Sequence, residues 1–293
     1  MVVSAMRNVL ITGTPRSGTT LVCSLLNKLP DTVALHEPMN VWDFPKCADP
    51  EARLNLIEAF FAKTRASLHE RGIAVSKHVG GVIPDNVAAN EVARGGSRIR
   101  RTEHGPVVIE KSLSENFLLA IKHPVAFTAM LGTLCQRFEC FAIIRNPLAM
   151  LASWNSLGWL DARDGHVPIG EKLDEQLRRH LDSEPDRIER QLYILEWFYK
   201  NFREFLPRGG IVKYEDLIAS RGRALAEFFP AAGNLHDNLS SKNVSNFYDH
   251  ALMVELGNRL LRRSGVIWDF YNKRDVENLL AEVASEASVT LKP

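Results

Sequence analysis

Arg16 lies inside a loop bounded by Gly13 and Gly18, and two hydroxyl residues, Thr19 and Thr20, follow it directly. An apolar run of Val9, Leu10 and Ile11 precedes the loop, and Leu21, Val22, Leu25, Leu26 and Leu29 follow at helical spacing. Such a run is long enough for a buried parallel strand. The stretch Pro15, Arg16, Ser17, Gly18, Thr19 and Thr20 is therefore expected between a strand and a helix N-terminus. Backbone N–H groups converge at such a turn, and the helix dipole favours negative charge there. The expected chemistry is anion binding, with Arg16 as the cation. The spacing matches the nucleotide loop G-x-x-x-x-G-K-[ST] at both glycines and at Thr20, but Thr19 stands where that motif has lysine. Without the lysine that reaches β- and γ-phosphates, the loop suits a shorter anion.

Further strand ends carry groups able to act. Thr32 to Leu35 reads as a second strand, stopped by Pro38, which leaves His36 and Glu37 at the sheet edge where ligands bind in open α/β folds. His36-Glu37 begins like the zinc motif H-E-x-x-H, but Asn40 holds the fifth position and Pro38 opposes a helix, so no metal is expected. Pro106 to Glu110 reads as a third strand ending in Lys111-Ser112. Phe138 to Ile144 reads as a fourth, followed by Arg145-Asn146-Pro147 and a helix that carries Ser153. Ile211 to Tyr214 reads as the fifth. Strands alternating with helices imply a mostly parallel five-stranded sheet flanked by helices.

Pro15-Arg16-Ser17-Gly18-Thr19-Thr20 resembles the 5′-phosphosulfate loop of the sulfotransferases that use 3′-phosphoadenylyl sulfate (PAPS). The likeness is closest to the tyrosylprotein, heparan-sulfate and bacterial carbohydrate branches. Arg145-Asn146-Pro147 with Ser153 is similar to that family's 3′-phosphate motif, and Tyr214-Glu215-Asp216-Leu217 to its Tyr-Glu-Asp-Leu signature. The resemblance implies a single P-loop-like α/β domain over 1–293, with PAPS as donor and adenosine 3′,5′-bisphosphate (PAP) as product. It implies cofactor contacts from Pro15 through Thr20, Arg145, Ser153 and Tyr214, with Glu215 and Asp216 structural. In the tyrosylprotein branch a glutamate downstream of the loop arginine is the base, which here is Glu37. A lysine after the third strand stabilises the transition state there, which here is Lys111, and Arg16 adds charge at the bridging oxygen. The implied reaction is in-line sulfuryl transfer to a hydroxyl or amine, by general-base catalysis with electrostatic stabilisation. Branches that use histidine make His36 and His104 rivals to Glu37, and Glu110 is structural or a partner of Lys111. The cytosolic branch's Lys-Gly-x-x-Gly-Asp-Trp-Lys signature is absent, and Leu239-Ser240-Ser241-Lys242 is a weaker stand-in.

A chain of 293 residues permits one large α/β domain or two small ones, and candidate residues spread from Arg16 to Tyr214 require one. A net charge of +1 gives no general attraction to nucleic acid or membrane, so any basic site must be local. The cysteines (Cys23, Cys47, Cys135 and Cys140) form no C-x-x-C pair, which fits a reducing compartment. There is no long apolar span and no room for a signal peptide before the first strand, so a cytoplasmic location is expected. Helices are expected over 50–71, 185–206, from the fifth strand to about 229, and over 251–263 and 274–287. Residues 40–105 form the variable lid or substrate region. Within it, 72–105 carries Gly80-Gly81, Gly95-Gly96, Arg98, Arg100 and Arg101, either as a solvated loop or as a lid whose cations meet an anionic acceptor. The acceptor, whether small molecule, carbohydrate or tyrosyl group, and the oligomeric state stay open. The rival readings are a P-loop small-molecule kinase and a non-catalytic nucleotide-binding module.

Overall fold

The computed structural model describes residues 6–92, 98–207 and 209–290. Gly95 and Gly96 fall outside them. Strand β1 (Asn8–Gly13) leads through the loop into helix α1 (Thr19–Leu26), followed by β2 (Thr32–His36). Helix α2 (Pro50–Arg71) opens with Pro50 behind an Asp49 cap and closes on Gly72 in the left-handed conformation. Four short strands follow: β3 (Ile73–His78), β4 (Ala88–Val92), β5 (Arg98–Arg100) and β6 (Glu103–Val108). Then come β7 (Leu118–Lys122), α3 (Pro124–Ala129), α4 (Leu131–Leu134), β8 (Glu139–Ile144) and α5 (Pro147–Asn155). The chain continues through α6 (Pro168–Leu173), α7 (Glu175–Ser183), α8 (Arg187–Phe205), β9 (Ile211–Lys213) and α9 (Tyr214–Ala219). It ends in α10 (His250–Arg262) and α11 (Lys273–Thr290).

The central sheet has five strands in the order β2-β7-β1-β8-β9, and every pairing in it is parallel. The chain fills one side of β1 first and then crosses to the other, so the strand order reverses at β1. Ligands bind at the carboxyl ends of the strands at such a reversal. Alternation along β1 sends Val9 and Ile11 to the α1 face and Leu10 to the opposite face, where Leu119, Ile121 and Phe127 are also buried.

The third strand of this sheet is β7, not Pro106–Glu110. Residues Glu103–Val108 instead pair antiparallel with β3 as a separate ribbon, and β4 pairs antiparallel with β5. The physical reason is burial. Leu119, Ala120 and Ile121 are fully enclosed, as an inner parallel strand requires, whereas Val108 is 64% exposed. A second difference follows β9. The helix expected to about 229 stops at Ala219, and 3₁₀ turns over Arg223–Glu227 and Pro230–Asn234 replace its continuation. Arg221 and Gly222 both take positive φ there, which breaks the helix. Among the described residues no helix is long and apolar enough to cross a membrane.

Candidate active site

Two glycines shape the loop between β1 and α1. Gly13 has φ +143°, and a Cβ there would lie 2.4 Å from the Ile143 carbonyl oxygen, so only glycine lets β1 turn while packed against β8. Gly18 enters α1 in the left-handed conformation at φ +99°, with the Tyr214 ring so close that a Cβ would meet its Cδ2 at 2.8 Å. No side chain caps α1. Its first N–H groups, on Thr19, Thr20 and Leu21, therefore lack intrahelical partners, and all three residues line one cavity. Arg16 holds a left-handed φ of 73° and donates to Ser153 Oγ at 3.3 Å and Asn86 Oδ1 at 3.0 Å. Loss of solvent, with the charges of Arg145 and Arg98, outweighs the opposing effect of Tyr248 and Tyr214 and lowers Arg16 to about 10. The Pro15 carbonyl accepts from Trp154 Nε1 at 2.7 Å, which ties the loop to α5. Ser17 donates its N–H to the Thr14 carbonyl at 3.1 Å, and the hydroxyls of both residues are buried without partners.

Arg145 sits at the end of β8, only 4% exposed. Asn146 caps α5 by accepting from the N–H groups of Leu148 and Ala149, and Pro147 opens the helix, so the arginine's own position is set by the turn. Its guanidinium donates to Asn243 Oδ1 at 2.8 Å, the Arg16 carbonyl at 3.1 Å and the Lys242 carbonyl, and lies 4.7 Å from the Tyr214 ring centroid. The Tyr214 hydroxyl accepts from the Lys242 N–H at 3.1 Å. Glu215 accepts from the Asn146 N–H and Asn243 Nδ2, both at 2.9 Å, and from the Tyr271 hydroxyl at 2.8 Å. It locks the turn after β8 to the segment carrying Lys242 and Asn243. Asp216 is exposed.

Glu37 follows β2 at a left-handed φ of 47°. Its N–H donates to the Lys122 carbonyl at 2.9 Å, its Oε1 accepts from Lys122 Nζ at 2.7 Å, and its Oε2 pairs with Lys77. Burial alone would raise this carboxyl, but Lys122, His36 and Lys77 outweigh it and hold Glu37 well below the usual carboxylate range. His36 lies with Nε2 3.5 Å from Glu37 Oε1, is 1% exposed, and has no partner at Nδ1. Burial and the Lys122 charge pull it down to about 4, so its ring is neutral near pH 7. His104 faces the Pro38 carbonyl at 3.1 Å and does not line the cavity.

Lys111 is elsewhere. Its ammonium donates to the carbonyls of Leu29 and Thr32, at 2.9 and 2.8 Å, beside the amino end of β2 and so at the opposite edge of the sheet from Glu37. The displacement follows from the strand exchange: the lysine that ends the inner strand is Lys122, 3% exposed. Glu110 is exposed. Lys122, Lys77, Asn86 and Tyr248 were not identified in the sequence, although all line the cavity, and Arg98 of the 72–105 segment lines it too. For Lys122 a signal was present. Lys122-His123-Pro124 repeats the pattern of His36-Glu37-Pro38 and Arg145-Asn146-Pro147, a polar strand end followed at once by proline.

The cavity measures about 670 Å³ and joins Arg16, Gly18, Glu37, Arg145, Tyr214 and Lys242. Ser17 and Ser153 are buried just behind its wall. Eight arginines and lysines line it against three carboxylates, in a chain whose net charge is +1. No protein-family model matches the sequence, and no curated protein matches it. One solved structure to which the chain is similar is sulfotransferase STF1 from Mycobacterium tuberculosis H37Rv, at 15% identity. That match covers 96% of this chain and 78% of that one, with a TM-score of 0.31.

Proposed function

We propose that this protein is a sulfotransferase that takes PAPS as donor and transfers its sulfuryl group to a hydroxyl acceptor, with 1–293 working as one domain. The observation that carries the reading is convergence. The uncapped start of α1 with Arg16, the Arg145–Tyr214 pair and the Glu37–Lys122 pair open into a single cation-rich cavity at the point of strand reversal.

The donor set fits PAPS. The free N–H groups of α1 and the guanidinium of Arg16 suit the 5′-phosphosulfate, and the unpartnered Ser17 and Thr14 hydroxyls behind them can adjust to an anion. Arg145, on a separate strand end, suits the 3′-phosphate, and the Tyr214 ring suits the nucleoside side. When bound, PAPS supplies the activated sulfuryl group. Lys122, rather than Lys111, has the position to hold positive charge beside the transfer point. Glu37 is ionised across the working pH range, so its Oε1 can accept the acceptor's proton without first losing one. Its low proton affinity in the resting site also means that the lysines on both oxygens weaken it as a base until they turn toward other charge.

The test is a thermal-shift comparison of PAP with MgATP, followed by sulfuryl transfer from PAPS to phenols, sugars and alcohols. A ligand at a hundredfold excess over Kd raises apparent stability by about 2.7 kcal/mol. Stabilisation by PAP with sulfated product supports the reading. Stabilisation by MgATP alone, with γ-phosphate transfer, overturns it in favour of a kinase.

A further inference from the structure

Arg98 lies in β5, is 6% exposed and forms no ion pair among the described residues. It is held instead by the carbonyls of Ala89 and Ala88, at 2.8 and 3.4 Å, with its guanidinium 4.6 Å from the Phe247 ring centroid. Burying an ionised group is costly unless opposite charge meets it. Nearby, the Arg100 side chain donates to Thr102 Oγ1, at 3.4 Å, forms no ion pair among the described residues, and lies 5.7 Å from the Trp159 ring centroid. The Arg101 N–H donates to the Val87 carbonyl at 2.9 Å, and its side chain forms no ion pair among the described residues. All three arginines and Trp159 line the cavity.

These cations belong to a different element from the anion loop and from Arg145. The β4–β5 ribbon and the segment leading into it are held at two points. Asn86 accepts from Arg16 at 3.0 Å, and Trp159 Nε1 donates to the Arg98 carbonyl at 3.0 Å. Arg98 and Arg16 line the same cavity, and the bond from Arg16 to Asn86 ties the segment ahead of β4 to the loop that carries Arg16. Of the three carboxylates that line the cavity, Glu37 already serves a lysine on each oxygen, and neither Asp85 nor Asp161 forms an ion pair with these arginines among the described residues. The donor's two anionic groups are matched by Arg16 with α1 and by Arg145. The charge left uncompensated is therefore at the acceptor end.

We infer that β5 and the residues through Thr102 form an acceptor subsite, and that the acceptor is a small hydroxy compound carrying a carboxylate or sulfate. This rests on the proposed sulfuryl transfer. A cavity of about 670 Å³ that also holds a nucleotide leaves room for a small acceptor rather than an enclosed polymer segment. The arginines orient the anion and so bring the hydroxyl toward Glu37 Oε1.

The experiment uses two matched pairs: 4-hydroxyphenylacetate with 4-hydroxyphenylacetamide, and glucuronate with glucose. Sulfuryl transfer from PAPS is measured for the wild type and for Arg100→Gln/Arg101→Gln, both exposed positions. Calorimetry of PAP and of each acid is run beside it. In at least one pair the acid should be preferred about ten-fold in kcat/KM, the scale of one hydrogen bond to a charged group. The double variant should lose that preference and keep its PAP affinity. The responding pair identifies the scaffold as phenol or sugar. Equal rates for acid and neutral members, or a preference that survives in the double variant, overturns the subsite. Absence of both transfer and PAP binding overturns the sulfotransferase reading alone. The subsite then stands if calorimetry shows the acid binding the wild type and not the double variant, and falls if neither acid binds.

Discussion

Lys122 Nζ donates to Glu37 Oε1 at 2.7 Å while the Glu37 N–H donates to the Lys122 carbonyl at 2.9 Å, so these two residues are bonded through side chains and backbone together. They are 85 positions apart in sequence. The register of β2 against β7, with His36 opposite Lys122, makes them neighbours at the carboxyl edge of the sheet. In the proposed transfer, a carboxylate and an ammonium fixed in this way would provide a proton acceptor and a charge stabiliser within one hydrogen bond of each other.

Exchange of the two candidate lysines separates position from motif. Lys122→Met is expected to lower turnover by roughly 10²-fold or more, the scale of a lost electrostatic contact in a transition state. Lys111→Met should leave turnover within a few-fold and cost about 1 kcal/mol of stability, because two carbonyls lose a donor. Steady-state sulfuryl transfer and urea unfolding of both variants check this. An inactive Lys111 variant with an active Lys122 variant reverses the assignment.

Glu37→Gln should lower turnover by roughly 10²–10⁴-fold with PAP affinity nearly intact, since a base acts on the acceptor's proton in the transition state. Near-normal turnover in this variant, with His36→Ala inactive, would move the role to the histidine.

Lys77→Met removes one of the cations that hold the Glu37 carboxyl down. Its pKa must then rise, and the acid limb of the kcat/KM profile should move to higher pH than in the wild type. An unmoved limb in the variant shows that Glu37 does not set it.

Arg145→Ala should weaken PAP far more than adenosine 5′-phosphosulfate, which lacks the 3′-phosphate. The same weakening of both ligands by calorimetry removes Arg145 from the 3′-phosphate and leaves it as a brace for the Arg16 carbonyl.

Acid should destabilise the fold through two buried histidines. Burial lowers His36 to about 4 and His123 to about 3. His123 Nε2 accepts from the Met39 N–H at 3.1 Å, a bond that protonation would break. Between those values and the ordinary histidine pKa the unfolded chain binds more protons than the folded one. Stability therefore falls as pH drops through that window, by up to about 1.4 kcal/mol per pH unit for each histidine. Melting temperatures from pH 7 to pH 5 should decline in the wild type and less steeply in His123→Gln, and identical slopes would exclude the histidine.

The sequence by itself determined the local units. A short apolar run followed by Gly13 and Gly18, or by a polar residue and Pro38 or Pro147, carries its strand, its turn and its helix start within a dozen neighbouring positions. For that reason the Gly13–Gly18 loop, the Glu37 corner and the Arg145 turn were legible before any coordinates. Glycine at positive φ and proline at a helix start are backbone preferences, and they need no distant partner. What only the tertiary structure decided is which apolar run enters the central sheet. Pro106–Glu110 and Leu118–Lys122 are similar in length and hydrophobicity, and the choice between them rests on strand pairing and burial on both faces, which are long-range properties. That choice put Lys122, and not Lys111, at the cavity. Lys77 and Arg98 reach the cavity from two separate antiparallel ribbons, β3–β6 and β4–β5, whose pairing the sequence does not spell out. Charge placement at the site depends on where separate strands end relative to one another, and only the packed sheet sets that alignment.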